Sequence, residues 1–142
     1  MEPNQLHRGR LIDHIQLVVE DLKASQGFYS AVLAVLEIPI VNTSDGYFWA
    51  DELVVSSADS PAALDVLTGR HHLAFQAKDR ATVDAFYRAA LAHGGRDNGE
   101  PGERAYHPGY YAAFMLDPDG NNVEVVYHGE GRRSAPSVVI EF

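Results

Sequence analysis

One stretch of this sequence occurs twice, and that duplication restricts the fold more than any other feature. Residues 13–33, DHIQLVVEDLKASQGFYSAVL, lie over residues 71–91, HHLAFQAKDRATVDAFYRAAL, without a gap. His14/His72, Asp21/Asp79, Phe28/Phe86, Tyr29/Tyr87, Ala31/Ala89 and Leu33/Leu91 are identical pairs. Internal repeats of this kind mark duplicated supersecondary units. Each copy opens with alternation: Ile15, Leu17 and Val19 share one face, opposite His14, Gln16 and Val18. In the second copy Leu73, Phe75 and Ala77 oppose His72, Ala74 and Gln76. Asp21 and Asp79 then stand where a helix N-cap accepts free backbone N–H groups. Two amphipathic helices follow. Phe28, Tyr29, Val32 and Leu33 form one apolar stripe; Val83, Phe86, Tyr87, Ala90 and Leu91 form the other. Pro39 and Gly94-Gly95 mark the return to extended chain.

The rest of each copy reads as short strands. Residues 110–116 and 122–128 flank the turn signal Asp117-Pro118-Asp119-Gly120-Asn121. Tyr47-Phe48-Trp49 and Glu52-Leu53-Val54-Val55 are the corresponding pair in the first copy. Residues 96–108, rich in Gly, Pro and charge, are expected to form an extra loop shaping a site. The tail, 129–142, is expected to hold a turn and then a strand at Val138-Val139-Ile140, pairing at an edge or docking on a partner subunit. The resulting division is one domain over 1–142: a first module at 10–57, a linker at 58–69, a second module at 70–128 and the tail at 129–142.

Composition removes several function classes. The 142 residues suffice for one core. No apolar run approaches the roughly 18 residues that a membrane span needs, and residues 1–5 carry no signal-peptide pattern. The absence of cysteine excludes disulfides, thiolate catalysis and Cys-ligated zinc, and is compatible with a reducing cytoplasm. A net charge of −9 repels phosphate backbones, so nucleic acid is not an expected partner.

If helices cover the faces bearing Ile15, Leu17 and Val19 and their counterparts, His14 and His72 point to the opposite faces. Glu124, Val126 and His128 oppose Val123, Val125 and Tyr127 on the last strand, and Glu52 and Val54 oppose Leu53 and Val55. His14, Glu52, His72 and Glu124 are thus expected at equivalent strand positions, meeting inside a curved sheet. Imidazole and carboxylate suit Zn²⁺, Ni²⁺, Fe²⁺ or Mn²⁺. A carboxylate buried among apolar side chains with no cation would cost several kcal/mol of desolvation, on the order of 2–7. Two histidines and one carboxylate leave coordination positions open for substrate oxygens. His71 falls on the opposite face by alternation. His107 is a candidate for proton transfer, and Trp49, Tyr110 and Tyr111 are candidates for substrate contact.

Asp13-His14-Ile15, His72 to Phe75 and DPDGNNVEV at 117–125 resemble motifs of the vicinal oxygen chelate superfamily, the glyoxalase, bleomycin-resistance and extradiol-dioxygenase group. The resemblance spans about residues 10–128. It implies an α+β fold of paired βαβββ modules forming an incomplete barrel, a divalent metal in the cleft and frequent homodimers. By motif position it implies His14, His72 and Glu124 as metal ligands, with Glu52 similar to the further first-module carboxylate of glyoxalase I-like members. The implied function is a metal-dependent glyoxalase-like lyase or isomerase acting on a small oxygenated substrate, with Glu52 or Glu124 moving a proton. An Fe(II) extradiol dioxygenase and a non-enzymatic dimeric binding or resistance protein are the alternatives. No distinctive glutathione-binding pattern is present.

Overall fold

The computed structural model describes residues 5–9, 12–41, 43–60, 71–132 and 134–141. In chain order the elements are β1 (Gln5–Arg8), β2 (Ile15–Val19), α1 (Leu22–Val35), β3 (Tyr47–Ala50), β4 (Leu53–Ser57), β5 (His72–Gln76), α2 (Arg80–Ala92), β6 (Arg96–Glu103), β7 (Tyr111–Leu116), β8 (Asn122–Tyr127) and β9 (Val138–Glu141). The expected linker lies mostly outside the described residues.

Both helices start where the aspartates stand. The Asp21 carboxylate accepts from the Ala24 N–H at 3.0 Å, and Asp79 accepts from the Thr82 N–H at 2.7 Å. Helix α1 buries Ser25, Phe28, Tyr29, Val32 and Leu33. Helix α2 buries Val83, Phe86 and Ala90. Tyr87 is half-buried, donating its hydroxyl to Asp97 at 2.9 Å, and Leu91 is exposed, so the stripe on α2 is narrower than the sequence pattern implies. Beyond α2, Gly94 takes φ +94°, and the N–H of Gly95 returns to the carbonyl of Ala90. A β-carbon on Gly95 would sit 2.7 Å from both that carbonyl and the Phe28 ring, so glycine is required where α1 meets the end of α2.

The strands form three sheets: β2-β4-β3, β5-β8-β7-β6 and the ribbon β1-β9. In each repeat the first strand runs parallel to the last (β2 with β4, β5 with β8) while the penultimate strand is antiparallel to the last. This is an α+β fold with two related modules and no closed barrel among the described residues. One core serves both modules, from Leu17, Phe28, Tyr29 and Val55 to Phe86, Met115, Val123 and Val125.

Two sequence expectations need correction. Residues 96–103 are not loop but the bulged strand β6, whose register with β7 shifts between Asp97 and Gly99 and again between Gly99 and Gly102. Glycines at the bulges disguise the strand in the sequence. Among the described residues, the matching part of the first module is the isolated bridge Val41↔Trp49. Finally, Glu52 is not the counterpart of Glu124. Gln16, two residues after His14, pairs with Val54, whereas Ala74, two residues after His72, pairs with Glu124. Register therefore puts Val54 where the second module has Glu124, and Glu52 where it has Asn122. The tail pairs β9 with β1, as one of the two expected outcomes.

Candidate functional site

Sheet pleat brings His72, Glu124 and Phe114 onto one face of the second module, because Phe114 pairs with Glu124 and His72 opens the strand beside it. Glu124 is 4% exposed. Its Oε1 lies 3.1 Å from His72 Nε2, and its Oε2 accepts a hydrogen bond from the Tyr110 hydroxyl. Burial, and then the hydrogen bond to Glu124, push the Tyr110 phenol up to about 12. Tyr110 is therefore a donor, not a base, at neutral pH.

The His72 ring is fixed by its other nitrogen. Nδ1 is 2.9 Å from the Asn122 carbonyl, which only accepts, so Nδ1 carries the hydrogen. In neutral imidazole that leaves the Nε2 lone pair facing a carboxylate oxygen. Two electron-rich atoms at that distance require a proton or a cation between them. An ion about 2.0–2.1 Å from each ligand spans a gap of about this size, and the backbone bond to the far nitrogen is the usual way a ligating imidazole is oriented. The two donors fit half of a divalent-metal site.

His14 is prepared in the same way. Its Nδ1 donates to Asp13 Oδ1 at 2.6 Å, and its ring meets Trp49 edge-on with centroids 5.4 Å apart. The bond to His14, with help from the Arg8 charge, holds the Asp13 carboxyl below the usual range. Arg8 also lies over Trp49, its Cζ 4.9 Å from the ring centroid, and donates to the Asp13 and Asp51 carbonyls. The β1-β9 ribbon thus buttresses the His14 region. His14 belongs to the first module's sheet, however, and among the described residues no three metal-capable side chains come together. Within one chain His14 does not join His72 and Glu124.

The remaining candidates are dispersed. Glu52 lines an apolar cavity of about 150 Å³ at the junction of the modules, with Ile15, Leu33, Leu73 and Phe75. Burial, reinforced by the Asp51 charge, raises its carboxyl above the ordinary value. Neither His14, His72 nor Glu124 lines that cavity. Tyr111 sits on the helix side, where its hydroxyl donates to Asp84 at 2.7 Å and Arg80 covers its ring. His107 Nδ1 is bonded to the Pro108 carbonyl, and its Nε2 lies 2.9 Å from His128 Nδ1. Tyr110 packs edge-on against both of these rings, so the histidines form a rim beside Glu124.

Sequence reasoning read the 117–121 segment as a turn and as part of the DPDGNNVEV motif, without assigning its side chains a structural role. Asp117, 1% exposed, accepts from the backbone of Asp119 and Asn121, from the Asn121 amide at 3.0 Å and from the Tyr29 hydroxyl at 2.6 Å. Asn121 in turn accepts from the His71 N–H. This buried knot ties α1 of the first module to the strand pair that carries Glu124. The buried position of Tyr29 was the available signal, but the partner across the chain was not visible. The roles of Asp13 and Asn122 as orienting groups were missed as well, although each adjoins a motif residue.

The family model described as Glyoxalase/Bleomycin resistance protein/Dioxygenase superfamily matches residues 11–125. A crystal structure of a glyoxalase/bleomycin resistance protein from Albidiferax ferrireducens superposes with a TM-score of 0.67 at 27% identity, covering 82% of this chain and 98% of that one. A glyoxalase-related enzyme from Fulvimarina pelagi gives 0.70 at 18% identity, over 93% and 98% of the two chains. A lactoylglutathione lyase from Agrobacterium tumefaciens gives 0.63 at 22% identity, over 84% and 94%. The last two show shared fold alone. No curated protein sequence matches.

Proposed function

Given that the chain belongs to the glyoxalase/bleomycin resistance protein/dioxygenase superfamily, we propose that it is a metal-dependent enzyme of glyoxalase type, acting on a small molecule with adjacent oxygens. The observation that carries this reading is the 3.1 Å approach of His72 Nε2 to the buried Glu124 carboxylate, with the opposite ring nitrogen committed to a carbonyl. His72 and Glu124 of one protomer and His14 of a second would hold a Zn²⁺, Ni²⁺, Fe²⁺ or Mn²⁺ ion in a homodimer. The separation of His14 from the other two within a chain supports a site shared between copies, and open faces on both modules make such an arrangement accessible. A divalent ion at that place supplies Lewis acidity toward paired substrate oxygens.

The chain's own groups divide the remaining work. The Tyr110 phenol stays protonated and pins one Glu124 oxygen. Glu124 is the carboxylate best placed to move a substrate proton, because it is buried beside the imidazole. Glu52, in the apolar junction, is assigned neither ligation nor proton transfer. Trp49 beside His14 and Tyr110 beside Glu124 supply aromatic walls for the substrate, while Tyr111 is occupied on the helix side.

Metal analysis of protein purified without a chelating tag tests this. A stoichiometric divalent ion, lost in His72→Ala and in His14→Ala, is expected. Mixing and refolding those two variants should restore one site per heterodimer, since each chain brings the half the other lacks. A metal-free protein whose small-molecule binding is unaffected by either substitution would reject the proposal and favour a non-enzymatic binding role.

A further inference from the structure

The strand that the sequence disguises as a loop carries a cation on the Glu124 face. Arg104 follows β6, and its N–H donates to the Tyr110 carbonyl at 2.9 Å. Its guanidinium lies across the two glycines of the bulged strand. A β-carbon on Gly102 would approach Nη1 to 3.1 Å, and one on Gly99 would approach Nη2 to 3.3 Å and the Phe114 ring to 3.3 Å. Gly99 also adopts φ +147°, a conformation that L side chains rarely take. The two bulges therefore keep a shallow bed clear of side chains.

What fills that bed is stacked toward the metal half-site. The Arg104 Cζ is 5.4 Å from the Phe114 ring centroid, and the Phe114 ring stacks on His72 with centroids 6.2 Å apart and planes 22° from parallel. Arg104, Phe114 and His72 form one row across the face. The Arg104 charge also reaches Tyr110, where it opposes part of the upward shift of the phenol.

Arg104 has no carboxylate partner among the described residues. Its side chain donates to the carbonyls of Glu100 at 2.7 Å and Glu103 at 3.4 Å. The nearby Glu103 carboxylate is bound to Arg80 at 2.7 Å, on the helix side. A guanidinium has five N–H donors, so several remain for a planar anion. A chain of net charge −9 repels anions on average. A half-buried cation with no carboxylate partner among the described residues, beside the candidate site, is a local exception to that field.

We infer that Arg104 is a specificity-determining residue, selecting substrates that carry a carboxylate in addition to their adjacent oxygens. This rests on the metal-site reading above and names its substrate class. The carboxylate docks on Arg104 while the oxygen pair lies toward His72 and Glu124, with the Phe114 ring fixing the spacing between them.

The probes are 3,4-dihydroxybenzoate and catechol, which share the oxygen pair and differ by the carboxylate. Binding of each is measured by calorimetry to the full chain, metal-free and with Zn²⁺. The Arg104 side-chain N–H signal is followed by NMR. The wild type should prefer the carboxylate probe by about tenfold or more, with a shift of that signal. Arg104→Gln should reduce the preference to about twofold or less. Arg104→Lys, which retains the charge, should keep part of the preference, separating charge from packing on Phe114. An equal affinity for the two probes, or a preference that survives in Arg104→Gln, overturns the inference even when Zn²⁺ strengthens both. Failure of Zn²⁺ to strengthen either probe, with the Arg104-dependent preference intact, overturns the metal reading and leaves the inference standing. Binding of neither probe overturns both.

Discussion

The two modules repeat one topology but differ in the side chains on their polar faces. The second has four strands, a buried glutamate beside an oriented histidine, and a phenol holding the glutamate in place. The first, among the described residues, has three strands and one isolated bridge, a histidine oriented by an aspartate, and Val54 where the glutamate would be. Duplication preserved what a packed core demands: Asp caps, Phe-Tyr on the helices, and parallel first and last strands. It did not preserve the polar face, where each position is free to change unless a ligand or partner requires it.

The joint between the halves should have the largest effect when broken. Asp117→Ala leaves the Tyr29 hydroxyl and the Asn121 donors without their buried acceptor. It should destabilise the chain by about 3 kcal/mol or more, read from the urea midpoint. If the knot couples the modules, the transition should also broaden. A loss near zero would show that the modules hold together by apolar packing alone.

Making the halves alike should cost somewhat less. Val54→Glu installs the missing carboxylate at a site 5% exposed. Its neighbours in register are Gln16, whose amide already serves Ser56, and Trp49. With no equivalent of the Tyr110 phenol there, the substitution should destabilise the metal-free chain by about 2 kcal/mol. An unchanged thermal midpoint would mean that the first module retains an unrecognised carboxylate pocket.

The orienting groups also differ in kind. His72 is held by a backbone carbonyl, which no substitution removes, whereas His14 depends on a side chain. Asp13→Ala should weaken the proposed metal affinity by about tenfold, measured with a competing chelator, with little effect on stability because Asp13 is exposed. The same affinity in wild type and variant would remove Asp13 from the site.

The smallest effect is spectroscopic. Tyr110 should ionise near pH 12, above the ordinary phenol value of about 10, in an ultraviolet titration. The folded-state value is raised, so the stability that Tyr110 contributes is fully present below pH 10 and is lost as the pH rises through 12. Burial and carboxylate neighbours also raise the Tyr29 and Tyr87 phenols, and the bond to Asp84 raises that of Tyr111, so Tyr110→Phe should remove one late-ionising phenol and leave those in place. Ionisation of Tyr110 near 10 would mean that Glu124 is held by something else.

Much of the fold was legible because it depends on local patterns. Alternation located β2 and β5, and apolar spacing located α1 and α2. Asp21 and Asp79 located the helix starts, and DPDGN located the β7–β8 turn. The pairing of His72 with Glu124 also followed from pleat and motif. Strand β6 was not legible, since bulges and glycines erase the alternation by which a strand is recognised. Arg104 went unnoticed with it. The misplacement of Glu52 has a different origin. A short connection after β3 moves the register by two residues, and periodicity of two looks the same after such a shift.

Local side-chain chemistry settled the helices, most of the strands and the faces that their residues occupy, because caps, turns and alternation act over a few neighbours. Only tertiary structure decided that Val54 and not Glu52 stands opposite Gln16, that Asp117 is a buried acceptor for Tyr29, and that His14 lies apart from His72 and Glu124 within one chain. Those facts come from long-range register and packing, which depend on how segments far apart in the chain share one core.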